Sequence, residues 1–206
     1  MNLQGKWCRT IEGQADDTIE FMPDGDTWSI LITQQDGTPV LSGVGFEHQG
    51  FLFTSRGIAA TSTELGGTVG LVRYDICDLG NLPARWYHTS LRGKLSDGLS
   101  THGPKDKLVG EYRADYEDAS GNAFNPLRKT ISETNRALEF SWWDEEKFHY
   151  VGVGQKINGS LFAAWGPPGS IIQFANYDIR NASSNLCGSW YDYRRGRDDQ
   201  EYLSAF

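Results

Sequence analysis

The chain carries one stretch twice, and any fold it adopts has to accommodate both copies. Gly43, Val44, Gly45, Gly50, Leu52, Phe53 and Gly57 recur without a gap as Gly152, Val153, Gly154, Gly159, Leu161, Phe162 and Gly166. Each copy reads as a β-hairpin. Asn158-Gly159 is a two-residue turn signal, because glycine accepts the positive φ that such a turn requires. The Gly-x-Gly ahead of it describes a strand with no side chains on one face, where a neighbour approaches or the sheet bends.

Other pieces fall into the same register. Leu3-x-Gly5-x-Trp7 matches Leu108-x-Gly110-x-Tyr112, and Tyr74-Asp75-Ile76 matches Tyr177-Asp178-Ile179. Leu82-x-Ala84-x-Trp86-Tyr87 matches Leu186-x-Gly188-x-Trp190-Tyr191. The order is the same in both halves, so the chain is a tandem duplication. A first β-repeat spans 1–102, a short turn-rich linker 103–107, and a second β-repeat 108–206. Turn chemistry at Pro23-Asp24-Gly25, Asp36-Gly37, Gly80-Asn81 and Arg92-Gly93 separates about eight short strands in the first repeat. Helical spacing of apolar residues never persists beyond about two turns. The fold class expected is all-β: two homologous antiparallel barrel-like repeats related by a pseudo-two-fold, with closure removing exposed edges. Each repeat is then a small barrel or half of a larger shared one.

The repeated Leu-x-Gly-x-Trp resembles the first-strand Gly-x-Trp of the calycin superfamily, the lipocalins and avidins. That resemblance implies a barrel closed at one end by the Trp, with an Arg from a late strand packed on it; Arg92 or Arg194 would take that part. The Gly-Val-Gly…Gly-x-Leu-Phe block, with the following Tyr-Asp-Ile, is also similar to repeats in bacterial proteins described as fibronectin-binding. Neither resemblance fixes a substrate, since one fold hosts many functions.

Duplication offers an internal comparison. Side chains shared at matched positions serve the common scaffold, and those present in one repeat only point to specialised work. Among the shared ones, Trp7, Trp86 and Trp190 read as core plugs, and Asp75 and Asp178 as turn caps or partners of an Arg. Tyr74 and Tyr177 read as packed rings whose hydroxyls need a partner. Tyr177 and Asp178 are retained as acid–base candidates, and Tyr74 and Asp75 as ligand contacts. The histidines are unmatched. His149 shares a strand face with Val151 and Val153; if that face points inward, it is a lumen acid or base. His88 stands where the second repeat has Asp192, on the face of Trp86, whereas His48 and His102 read as solvated. Aromatic and acidic residues concentrate between Phe140 and Tyr150, with Phe140, Trp142 and Asp144 on one face and Ser141 and Trp143 on the other. Ligand-binding candidates are therefore Trp142, Trp143, Tyr150, Phe162 and Trp165, together with Arg56, Tyr74 and Asp75. The alternative for the 140–150 stretch is a core strand ending in a charged turn. Arg194, Arg195 and Arg197 belong to a solvated hairpin tip or an anion-binding loop.

A formal charge of −8 with no basic stripe argues against nucleic acid as a partner and against docking on anionic membranes. No apolar run approaches the roughly 18 residues that span a bilayer. Cys8, Cys77 and Cys187 are too far apart in sequence for a disulfide framework or zinc site and read as small buried thiols, which points to the cytoplasm. No His-x-His, His-Glu-x-x-His or Cys-x-x-Cys supports a metal, and Gly66-Gly67 lacks the lysine of a phosphate loop, so no cofactor is implied. The expected function is a cytoplasmic protein enclosing an apolar or aromatic small molecule, as a cofactor-independent biosynthetic isomerase or cyclase. His149, His88, Tyr177 and Asp178 would supply its acid–base groups. The competing expectation is a non-catalytic module holding a protein or glycan on exposed faces. A homodimer is compatible with both. An apolar cavity of roughly 300 Å³ or more would favour the first.

Overall fold

A computed structural model describes residues 3–58, 69–88, 93–134, 137–180, 184–193 and 196–206, apart from the side chain of Arg197. Gly66-Gly67, Arg92, Arg194, Arg195 and the Arg197 side chain, which carried expectations above, lie outside what is described. The described residues form strands and no helix. The first eight strands are β1 (Gly5–Ile11), β2 (Asp17–Asp24), β3 (Thr27–Thr33), β4 (Pro39–His48), β5 (Phe51–Ile58), β6 (Gly70–Asp75), β7 (Leu82–His88) and β8 (Ser96–Thr101). The others are β9 (Gly110–Tyr116), β10 (Leu127–Glu133), β11 (Leu138–Trp143), β12 (Phe148–Ile157), β13 (Ser160–Gly166), β14 (Ile172–Asp178), β15 (Asn185–Asp192) and β16 (Arg197–Ala205).

These strands close two antiparallel eight-stranded barrels, so the all-β, two-barrel expectation holds. Barrel one follows the order β1-β2-β3-β4-β5-β14-β15-β16 and returns to β1. Barrel two runs from β6 to β13 in sequence and closes β13 on β6. Barrel two is thus one continuous piece of chain set between β5 and β14 of barrel one. The repeats and the barrels are different partitions of the sequence. Each repeat gives five strands to one barrel and three to the other, and residues 103–107 connect neighbouring strands of barrel two, not one barrel to the next.

The duplicated hairpins explain the tightest geometry. Gln49 and Gly50 turn β4 into β5 with φ of 49° and 79°, and Asn158 and Gly159 turn β12 into β13 with φ of 49° and 80°. Positive φ at both central residues is the hairpin turn that follows strand twist, and Asn-Gly adopts it at least cost. The Gly-x-Gly strands face the barrel interiors and lie against their partners. A Cβ on Gly43 would come 2.0 Å from the carbonyl oxygen of Ser55, and one on Gly154 would come 1.8 Å from that of Phe162.

Three cores result. Barrel one is filled by Trp7, Ile19, Phe21, Ile30, Ile32, Leu52, Tyr177 and Trp190 among others. Barrel two is filled by Tyr74, Trp86, Tyr112, Phe140, Trp142 and Leu161 with their neighbours. The third core lies between the barrels, where Val44, Phe46, Phe53, Leu71, Val153, Phe162 and Phe174 turn outward and bury against each other. Phe53 and Phe162, the same position of the two repeats, stack at 3.5 Å with planes 6° apart, which marks the pseudo-two-fold. Arg73 of barrel two also donates to His48 Nδ1 of barrel one at 2.9 Å, so His48 is a contact between the barrels and not the solvated residue expected.

Candidate functional site

At one end of barrel two β9, β11, β13 and β7 finish while β10, β12, β6 and β8 begin. A cavity of about 470 Å³ opens there. Val72, Trp86, His88, Tyr116, Trp142, His149, Tyr150 and Trp165 line it from the strands. Phe124 and Asn125 line it from the β9–β10 connection, residues 117–126. The matching β1–β2 connection of barrel one is only 12–16. The longer loop is held in shape by Asp118, whose carboxylate accepts the backbone N–H of Ser120 and Asn122, and it lays Phe124 edge-on to Trp86 at 5.9 Å.

His149 reaches this cavity for a reason other than strand alternation. Val151 and Val153 face the core between the barrels, while Tyr150 and Gly152 face inward, so the face expected to carry His149 into the lumen points outward. The register supplies the correction. Trp142 pairs with Tyr150 and Trp143 with Phe148, leaving His149 as the extra residue of a β-bulge, which turns its side chain to the rim. Barrel one has the same irregularity: Ile32 pairs with Leu41 and Thr33 with Pro39, and the extra residue, Val40, packs into that barrel's core.

Asp144 fixes the imidazole. Its Oδ1 accepts the N–H of Glu146 at 2.8 Å and of Lys147 at 3.0 Å, and its Oδ2 bonds His149 Nε2. The His149 bond first, and then the two backbone N–H groups, hold the Asp144 carboxyl down at about 2. With the carboxylate ionised, Nε2 is the ring nitrogen that donates to it, and Nδ1 is the one Asp144 does not engage. His88 stacks on Trp165 at 5.3 Å, and burial pushes its pKa below the usual histidine value. Trp165 itself sits over Gly70, where any Cβ would come 2.1 Å from the indole.

At the inner end of the cavity Trp142 Nε1 donates to the hydroxyl of Tyr116 at 2.8 Å, and the Tyr74 hydroxyl lies 2.9 Å from the same oxygen. Burial raises Tyr116 to about 12, so it is a neutral phenol. The site therefore has room for a ring-sized apolar body, with an imidazole at its rim and a phenol at its buried end.

Of the residues singled out from sequence, His149, His88, Trp142, Tyr150 and Trp165 line this cavity, and Tyr74 stands behind Tyr116. The others lie elsewhere. Trp143 faces out, with the Arg128 guanidinium 4.0 Å over its ring, and Phe162 is in the inter-barrel stack. Arg56 and Tyr177 are inside barrel one, both bonded to Glu201. Asp75 and Asp178 are partners of Arg73 and Arg180; Asp178 is half-buried and held at about 2 by Arg180, so it shares no site with His149. Sequence reasoning passed over Tyr116, Phe124, Asn125, Leu127 and Val72, and treated Trp86 as a plug only. Comparing the repeats would have found Tyr116, whose counterpart by register is Ile11: Tyr116 pairs with Gly98 where Ile11 pairs with Glu201.

Comparison with known proteins adds no name to this geometry: no family model, curated protein or solved structure matches the chain.

Proposed function

We propose that the mouth of barrel two encloses an apolar or aromatic small molecule, and that the His149–Asp144 pair moves a proton on it, as a cofactor-independent isomerase or cyclase requires. The observation that carries this reading is the joining of the two parts: a cavity walled by Trp86, Trp142, Tyr150 and Trp165, with an Asp-oriented histidine on its rim. In such a reaction His149 Nδ1 removes a proton from a carbon of the ligand. Asp144 steadies the imidazolium so formed, and the same proton returns to a different carbon. Atoms and charge balance with no further reagent. The aromatic walls and the Phe124 loop keep water from the intermediate. A calycin-like reading of the barrels, which rests on the Leu-x-Gly-x-Trp strands, agrees with a ligand-enclosing role.

Three tryptophans in the wall make binding measurable. Titration with 2-methylnaphthalene is expected to quench tryptophan emission in the wild type, and Val72→Trp, which fills the cavity, is expected to abolish the quenching while cooperative unfolding is retained. Equal quenching in both proteins would overturn the site. Native mass spectrometry of protein from its source then identifies a co-purifying molecule, whose turnover should fall by about 100-fold or more in His149→Ala.

A further inference from the structure

The rings around the barrel-two cavity are set as a box and not as a slot. Trp86 and Trp165 stand 6.2 Å apart with planes at 61°, and Tyr150 meets Trp165 at 4.9 Å and 75°. Tyr116 meets Trp86 at 6.1 Å and 76°, and Phe124 meets it at 63°. A flat ring is best held between parallel walls. Walls at steep angles surround a rounded group instead and present ring faces from more than one direction. Each face carries negative potential, so the group that gains most from such a box is a cation.

Charge around the box has the matching sign. Arg128 lies over Trp143 outside the barrel, but among the described residues no lysine or arginine lines the cavity. Lys129, wholly buried in barrel two, does not line it either. Its Nζ lies 2.6 Å from Ser100 Oγ and 3.8 Å from the ring centre of Tyr74, and burial drives its pKa well below the usual lysine range. The connections beside the mouth are acidic. Residues 117–126 carry Glu117 and Asp118, and 144–147 carry Asp144, Glu145 and Glu146 against Lys147. The β7–β8 connection, which carries Lys94, leans on barrel one, where the Gly93 carbonyl accepts the Asp26 N–H at 3.2 Å. A mouth framed by carboxylates raises the local concentration of cations.

Most of the box is missing from barrel one. By register, Arg56 stands in place of Trp165, Leu41 of Tyr150, Ile32 of Trp142 and Ile11 of Tyr116. Barrel one closes without these rings, so the fold does not require them.

We propose that the mouth of barrel two is an aromatic cage for a small organic cation, a tertiary or quaternary ammonium group carried on an apolar body. The ring faces hold the ammonium, and the acidic connections draw it in. This inference rests on the reading of the cavity as a ligand site and adds the charge of what that site takes.

The test uses two probes of nearly equal shape, benzyltrimethylammonium and neopentylbenzene, which carry nitrogen or carbon at the branch. Each is titrated into protein loaded with 2-methylnaphthalene, and displacement is read as recovery of tryptophan emission. The wild type is expected to bind the cation about tenfold more tightly, as a desolvated cation against ring faces should. Trp165→Leu should bring the ratio near one, and Trp165→Phe, which keeps a ring with a weaker face, should leave it between; the Phe variant decides if the Leu variant loses cooperative unfolding. Contact with ring faces is short-ranged, so the preference should persist in about 1 M salt, where the screening length is about 3 Å. A preference that salt abolishes is attraction to the acidic connections alone and overturns the cage. So does equal or weaker binding of the cation by the wild type, or a ratio that neither Trp165 variant lowers. Each of these leaves the cavity reading intact. Failure of 2-methylnaphthalene to quench the wild type removes that reading, and the cage with it.

Discussion

The two barrels share a strand order and differ in what the mouth-facing positions hold. In barrel one Ile11 pairs with Glu201 and Arg56 with Gln173; in barrel two Tyr116 pairs with Gly98 and Trp165 with Gly70. Glu201 is fully buried and binds both Arg9, at 2.7 Å, and Arg56, at 2.9 Å. That cluster ties β1, β5 and β16 together, with Tyr177 adding β14. Barrel two has Ala114 where Arg9 would stand and glycines opposite its large rings. A Cβ on Gly98 would meet the Tyr116 ring at 2.4 Å. Removing side chains across from an aromatic leaves the ring upright against the wall and opens space in front of it. One barrel uses its interior to hold strands together, and the other leaves part of its interior open as a cavity.

The largest expected effect lies in the ion cluster. Glu201→Ala leaves Arg56 buried without a counter-charge and Arg9 with Asp17 alone, and should cost about 3–5 kcal/mol in urea unfolding, whereas Lys129→Met in barrel two should stay within about 1 kcal/mol of wild type. A reverse ranking would break the division of labour. Acid adds a second reading. Burial pushes the Glu201 carboxyl up, but Arg56 and Arg9 outweigh it and hold it at about 2. Its stabilisation is therefore present above the ordinary value of 4.5 and is lost as pH falls toward 2, a limb that Glu201→Gln should flatten.

Next come the residues the barrels share. Phe53→Ala and Phe162→Ala should each cost about 3 kcal/mol, with a coupling of about 1 kcal/mol in the double mutant. Unequal single losses would mean that the pseudo-two-fold is not matched in energy. Smaller still, Gly70→Ala should cost about 1–3 kcal/mol and displace the Trp165 indole, lowering naphthalene binding, since overpacking here strikes a cavity wall. Burial keeps His48 and His88 below the usual histidine value. Melting temperature should therefore slip as pH drops below 6.5, the unfolded chain taking up the protons first, and less so in His48→Gln and His88→Gln. The smallest effect is expected from cutting the 103–107 connection at an engineered protease site. The two pieces each supply strands to both barrels, so the nicked protein should elute unchanged from a sizing column.

Much of this was legible in residues and some of it was not. Gly43, Gly45, Gly152 and Gly154 announced a strand pressed against its partner, and Asn158-Gly159 announced its turn, because both are local demands on the backbone. The exchange of β5 and β13 partners left no trace. Swapping one repeat's β6 for the other's β14 replaces each residue with its own counterpart, and the apolar pattern is satisfied either way. His149 was found through a face that turned out to point away; a bulge changes alternation by one residue, and no side chain in 140–150 encodes it. Asp178 misled because its twin Asp75 and its neighbour Arg180 already account for it, as shared residues do. Tyr116 was missed for want of setting it beside Ile11.

The nesting of one barrel within the other also orders events on the ribosome. Barrel two needs nothing beyond Gly166, so it can close while β14 to β16 are still to be made. Barrel one must wait as an open five-stranded sheet, with β1 and β5 bare, until β14 to β16 emerge. During that interval the nascent chain presents two unpaired strand margins, and these are where a chaperone, or a second unfinished copy, would first take hold.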